Sequence, residues 1–249
     1  MRQLLPVPVD DLDLDAAYQA DLRPASPNHP WVVLNMVVSV DGATAVEGRS
    51  GGLGGTADHI AFTALRSVAD VILVGAATVR AERYGPPRTS QAHQTQRVAR
   101  GQARFPRLAI VSGRLDLDLD SPLFADSPTR PYVITSRTPT DPVVALEAIE
   151  ARADVIGRGD GHADVEGALE ALRADGVAVV LCEGGPTLNG QLLAAGLVDE
   201  LCVTVAPLLA GGTSKRMISG PALDEARSLR LDRVIEDEDT LLLRYVRSD

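Results

Sequence analysis

Short runs rich in Val, Ile and Leu alternate along this chain with segments of helical spacing, and that alternation admits few folds. Residues 31–40, 70–75, 107–112, 131–135, 153–156, 177–183, 200–206 and 240–247 read as strands. Most lack a clean in-out alternation, which marks a sheet covered on both faces. Between them, 57–68 carries Ile60, Phe62, Leu65 and Val68 close to helical spacing. Residues 142–152 read as a helix with Asp141 as N-cap and Pro142 in the first turn. Segments 164–174 and 187–195 are each followed by a glycine, Gly176 and Gly196, where a C-cap belongs. Strand-helix-strand order predicts a layered α/β fold around a mostly parallel sheet. The last two runs, 229–235 and 240–246, flank the acidic stretch 236–239 and read as an antiparallel hairpin, which makes the sheet mixed. No Pro/Gly-rich linker divides two cores, so the expectation is one domain over 31–249 behind an N-terminal extension, 1–30.

Composition narrows the function classes. With 24 Lys+Arg against 34 Asp+Glu, the formal net charge of −10 disfavours a nucleic-acid partner, whose backbone needs a basic face. No run approaches a membrane-spanning apolar length, and the first fifteen residues have no apolar core of a signal peptide. Cys182 and Cys202 each lie inside an apolar run, without metal-ligand spacing, and the histidines at 29, 59, 93 and 162 show none either. The expectation is a cytoplasmic protein without a metal.

The strongest local signal is 177–190, where an apolar strand runs into Glu183, Gly184, Gly185, Pro186 and Thr187 and then into a helix. Two glycines allow close backbone approach to a ligand, and the free N–H groups of a helix start attract an anion. Thr187 can donate to a phosphate or cap the helix; the plainer reading is a tight strand-to-helix turn. Residues 70–82 repeat the arrangement, with Gly75 at the strand end and Thr78 in the first helical turn. Two such ends in one parallel sheet form a crevice of the kind that binds nucleotides. Arg80 and Arg83 are near enough to take a 2′-phosphate or are simply solvated. Asn35 interrupts an apolar strand and needs polar partners, in the protein or on a ligand. That strand ends in Ser39, then Asp41 and Gly42. Asp58, early in the next helix, suits the helix dipole and equally suits a heterocycle in a cleft.

Two stretches break the rhythm. Residues 47–55 form a glycine-rich loop, and its Gly52 and Gly54 with the following Ala57 imitate G-x-G-x-x-A. They follow a charged segment instead of a buried strand, so no dinucleotide fingerprint is assigned. Residues 84–105 carry Arg88, Arg97, Arg100 and Arg104 with no acid and few large apolar residues; they read as a long loop, either phosphate-holding or solvated.

In order, Asn35, Ser39, Asp41 and Gly42, then Asp58, Leu65, Arg66, Asp70, Gly75 and Thr78, then residues 183–187, Asp199, Glu200, Ala206, Pro207, Gly211 and Gly212 form a set. This set resembles the C-terminal reductase domain of the riboflavin-biosynthesis deaminase–reductase, over about residues 31–246. The resemblance implies a dihydrofolate-reductase-like αβα fold, NADPH as cofactor, a homodimer, and hydride transfer to C1′ of a phosphorylated ribosylaminopyrimidine. On that resemblance Gly75 and Thr78 hold the adenosine side of NADPH. Gly184, Gly185, Pro186 and Thr187 hold the pyrophosphate, with Glu183 beside them. Asn35, Ser39, Asp41 and Asp58 line the substrate and nicotinamide pocket, with Asp41 and Asp58 as the catalytic candidates. Two departures stand out. No H-x-E with a later P-C-x-x-C marks a deaminase half, so a stand-alone reductase is expected. Where the pathway enzymes continue Asp-Asp-Pro-x-Leu-Thr-x-Arg, this chain has Ala81, Glu82, Arg83, Tyr84, Gly85, Pro86 and Pro87. A dihydrofolate or dihydropterin reductase, and a non-catalytic NADP-binding protein, are the alternatives.

Overall fold

The computed structural model describes residues 1–248. Its elements in chain order are β1 (Arg2–Leu5), α1 (Leu14–Ala20), β2 (Trp31–Ser39), α2 (Thr56–Val68), β3 (Val71–Gly75), α3 (Ala76–Glu82), α4 (Gln91–Ala99), β4 (Arg107–Val111) and α5 (Pro122–Ala125). There follow β5 (Tyr132–Thr135), α6 (Leu146–Glu150), β6 (Asp154–Gly157), α7 (Val165–Ala174), β7 (Val179–Cys182), α8 (Pro186–Ala194), β8 (Glu200–Ala206), β9 (Leu229–Asp237) and β10 (Thr240–Arg247). The chain forms two compact units: one of residues 1–23, 32–68 and 182 onward, the other of residues 24–31 and 69–181.

In the first unit the strands lie in the order β1, β9, β10, β8, β2. The expected terminal hairpin is present: β9 and β10 pair antiparallel from Thr240 opposite Asp237, and Glu238 and Asp239 close it at φ 47 and 66. β10 runs antiparallel to β8, and β8 runs parallel to β2 with Val33 opposite Glu200 and Ser39 opposite Ala206. The sheet is therefore mixed, as expected. Asn35, Val37 and Ser39 share one face by strand alternation. Thr204, in register with Val37, shares that face and bonds Asp58 of α2. Met36 points the other way, with the Asn189 amide of α8 3.2 Å from its sulfur. Helices α2 and α8 thus cover opposite faces of the β2–β8 pair.

An ionic cluster fastens residues 1–23 to these strands. Glu200, fully buried, accepts hydrogen bonds from Arg23 at 3.0 and 2.8 Å and from Arg244 at 2.9 and 3.1 Å. Asp21 accepts two from Arg233. Burial alone raises the Glu200 carboxyl, but the two guanidiniums overcome it and hold it down at about 2.

In the second unit β7, β3, β4, β5 and β6 follow one another, and β3 through β6 pair in parallel. Ile72, Val74, Leu108, Ile110 and Val133 form its apolar centre with Leu123, Phe124 and Ile149 from the helices. Two expectations fail here. Residues 84–105 are no continuous loop: Ser90 caps α4 by accepting from the His93 N–H, and the buried Arg97 donates to the carbonyls of Ala69 and Ala103. Arg97 is therefore neither solvated nor free for a phosphate. The helix expected over 142–152 begins only at Leu146, because Asp141 adopts φ 47 and the Val143 N–H is drawn to the Arg114 carbonyl. No helix among the described residues is long and apolar enough to cross a membrane.

Candidate active site

Parallel strands β2 and β8 end at the same level, and open α/β sheets bind ligands at such carboxyl ends. Their exit loops are tied together. The Asp41 carboxylate accepts from the Ser39 hydroxyl, from the Ala210 N–H at 3.1 Å and from the Gly211 N–H at 2.7 Å. These donors, the Ser39 hydroxyl foremost and then the Gly211 and Ala210 amides, hold the exposed Asp41 carboxyl down at about 2. Asp41 is thus an ionised clasp at neutral pH.

Asp58 sits in the first turn of α2. Burial raises its carboxyl above the ordinary range, although the Thr204 hydroxyl and His59 pull it down. Two carboxylates of one unit therefore diverge, Asp41 toward permanent charge and Asp58 toward holding a proton. Such divergence separates an ionic role from an acid-base one. Gly54 leaves room for Asp58: a Cβ there would lie 2.6 Å from the carboxylate oxygen. Asn35, half-buried, has no partner for its amide among the described residues and remains available to a ligand.

Residues 183–187 form the expected strand-to-helix turn. Gly184 stands at φ 83, a conformation that glycine adopts without cost, and the Gly184–Gly185 peptide is cis. Gly185 is the N-cap of α8 with no side-chain cap, and Pro186 opens the helix. The N–H groups of Thr187 and Leu188 have no acceptor within the helix, which leaves a start suited to an anion. Thr187 is exposed. Glu183 is buried against Arg66 in a two-point ion pair.

Gly75 and Thr78 belong to the second unit. Gly75 is the N-cap of the short helix α3 and Thr78 its third residue. Arg80 donates to the carbonyl of Asp116 and pairs with its carboxylate, while Arg83 ends the helix in a left-handed conformation. The sequence-derived residues thus divide: Asn35, Ser39, Asp41, Asp58 and 183–187 in the first unit, Gly75 and Thr78 in the second. Burial pushes the Cys182 thiol up to about 12 and also raises Cys202 well above its ordinary value, so neither supplies a thiolate nucleophile.

Sequence reasoning missed Thr204 and Asn189 and assigned no role to Arg66. Asn189, fully buried, accepts from the Cys182 thiol and donates to the Met217 carbonyl. A signal was available in each case, since a polar residue inside an apolar strand or helix needs a named partner.

A sequence profile of the RibD C-terminal domain matches residues 30–243. The 2,5-diamino-6-ribosylamino-4(3H)-pyrimidinone 5′-phosphate reductase of Methanothermobacter thermautotrophicus is 30% identical over 205 residues, covering 82% of this chain and 90% of the relative. Its namesake in Archaeoglobus fulgidus is 28% identical, covering 83% and 94%. The crystal structure of a pyrimidine reductase-like protein from Corynebacterium diphtheriae superimposes with a TM-score of 0.81 at 27% identity, covering 96% of this chain and all of that one. The expected reductase-type α/β fold stands.

Proposed function

The chain belongs to the RibD C-terminal domain family, and from that premise we propose that it is an NADPH-dependent reductase of a phosphorylated ribosylaminopyrimidine. The substrate class is the one in the names of its archaeal relatives. The carrying observation is that one unit contains both an uncapped, glycine-headed helix start and a carboxyl, Asp58, that burial raises above the ordinary carboxylate range.

These residues fit the cofactor. Gly184 and Gly185 present backbone without side chains, and Thr187 and Leu188 present free N–H groups, which suits a pyrophosphate. Gly184, Gly185, Pro186 and Thr187 would hold it, and Glu183 would fix the turn. NADPH, when bound, supplies the hydride. The protein's share is orientation and proton handling. Reduction at C1′ adds a hydride to carbon and breaks its bond to the ring oxygen, which must gain a proton. Asp58 would hold that proton, and Asn35 and Ser39 would orient the heterocycle. Asp41 holds the loop beside them. The working form is a cytoplasmic homodimer in which 31–249 acts as a single reductase domain.

The test is turnover by the purified protein with NADPH, offered the diaminopyrimidinone ribosyl phosphate, its deaminated counterpart or dihydrofolate. Consumption of NADPH with either pyrimidine supports the proposal. Reduction of dihydrofolate alone overturns the substrate, and NADPH binding without turnover of any of the three overturns the reaction.

A further inference from the structure

We propose that Lys215 and Arg216 form the binding site for the 5′-phosphate of the substrate, an inference that rests on the reaction proposed above. Lys215 is the chain's only lysine. It lies with Arg216 on an exposed segment that the first unit holds at both ends. Before the pair, the Thr44 N–H donates to the Ser214 hydroxyl at 3.0 Å, and the Thr44 hydroxyl donates to the Lys215 carbonyl at 2.8 Å. After it, the Asn189 amide donates to the Met217 carbonyl at 2.8 Å, and the Ser219 N–H donates to the Pro186 carbonyl at 3.0 Å. Gly190 lets the backbones meet, since a Cβ there would lie 2.1 Å from the Ser219 oxygen.

The anchors decide what this segment is for. Thr44 follows closely on Asp41, whose loop lies on the substrate side, and Pro186 is the first residue of α8, on the pyrophosphate side. Two adjacent cations are thus suspended between both halves of the candidate site. Arg23, Arg66, Arg233 and Arg244 each face a carboxylate. Among the described residues Lys215 and Arg216 face none, although the chain carries a net charge of −10. A solvated surface pair needs no buried asparagine to fix its backbone; a binding pair gains from it, because less ordering entropy is lost on association. A phosphate monoester dianion matches the pair chemically, with a guanidinium fork and a point-charge ammonium. The tether to Thr44 favours the substrate's phosphate over those of the cofactor.

Lys215→Ala and Arg216→Ala test this by comparing phosphorylated and dephosphorylated ribosylaminopyrimidine. Each variant should shrink the kcat/KM advantage of the phosphorylated form about tenfold, as loss of one charge-assisted hydrogen bond does. The NADPH Kd should stay within about twofold, a change too small to mean a lost contact. Because no other lysine competes, amine labelling of Lys215 in the wild-type protein gives a second readout, and ribose 5-phosphate should slow it. An unchanged advantage, a weakened NADPH Kd instead, or labelling indifferent to ribose 5-phosphate would overturn the site. If ribose 5-phosphate shields Lys215 while neither pyrimidine is reduced, the site stands and the proposed reaction falls.

Discussion

Arg66 grips Glu183 through two hydrogen bonds of 2.7 Å each, and its guanidinium carbon lies 4.0 Å from the centre of the Phe62 ring one helical turn away. The fork fixes the carboxylate at the head of the Gly184–Gly185 turn to the helix that carries Asp58. Arg66→Ala would strand a buried charge, so the expected loss is about 3 kcal/mol of stability in denaturant unfolding. Arg66→Lys keeps the charge but not the fork and should fall between the two. If the turn seats the cofactor, NADPH Kd should rise in both variants under conditions where each is folded. An alanine variant as stable as the wild type would show that the pair holds nothing.

Asp58 sets stability against its proposed role. Its folded carboxyl is raised by burial, so its contribution favours the fold at low pH and is lost as pH rises through the raised value. Asp58→Asn removes that loss while still accepting from Thr204. The variant should be more stable than wild type at neutral pH, with the difference vanishing below the carboxylate range. Its kcat should drop by about a hundredfold, the usual cost of a lost general acid, with NADPH Kd nearly unchanged. Parallel urea titrations at pH 7 and pH 3 check the first point and steady-state kinetics the second. Equal stability at both pH values would mean that Asp58 is not strained by burial.

How much of this was legible in the sequence depended on the range of the interaction. The terminal hairpin and the glycines after α7 and α8 follow from local chemistry, and all are present. The Gly184–Gly185 turn was legible for the same reason. Helix α4 was not, because its buried residues are His93 and Arg97, so no apolar stripe announces it. Only Ser90 at the cap position gave a local sign. Helix α6 was misplaced because a contact with Arg114, distant in sequence, draws residue 143 out of the helix. The Arg66–Glu183 fork joins residues 117 apart, and only the folded chain shows which arginine meets which acid.

Asp41 gives the opposite pH sign from Asp58. Its carboxyl is depressed to about 2, so its hold on the loop is complete above the ordinary aspartate value, about 3.9, and fails as pH falls through about 2. Asp41→Asn turns one acceptor oxygen into a donor facing an N–H. The Ala210 and Gly211 amides should then exchange hydrogen faster at neutral pH, by about tenfold or more, while amides of the β2 core keep their protection. Unchanged exchange at Gly211 would remove the clasp. Substrate KM should rise with the loosened loop.

Two glycines of the segment 184–190 are needed for different reasons, and alanine distinguishes them. At Gly184 the added Cβ meets only ordinary contacts, 3.6 Å from the Asn189 amide and 3.7 Å from the Met36 sulfur, so the penalty is the left-handed backbone at φ 83. That costs about 1–2 kcal/mol. At Gly190 the Cβ would lie 2.1 Å from the Ser219 oxygen and 2.8 Å from its carbonyl carbon, backbone atoms that cannot rotate aside. The strap from Met217 to Gly220 must then lift from α8, breaking the Ser219 bond to Pro186. Gly190→Ala should therefore destabilise more than Gly184→Ala, by about 3 kcal/mol or more, in the range of severe overpacking. It should also open residues 217–220 to proteolysis, whereas Gly184→Ala should leave that strap closed and weaken NADPH binding. Denaturant midpoints of the two variants, read beside limited proteolysis, decide the order. The reverse ranking would mean that α8 and the strap do not pack as described.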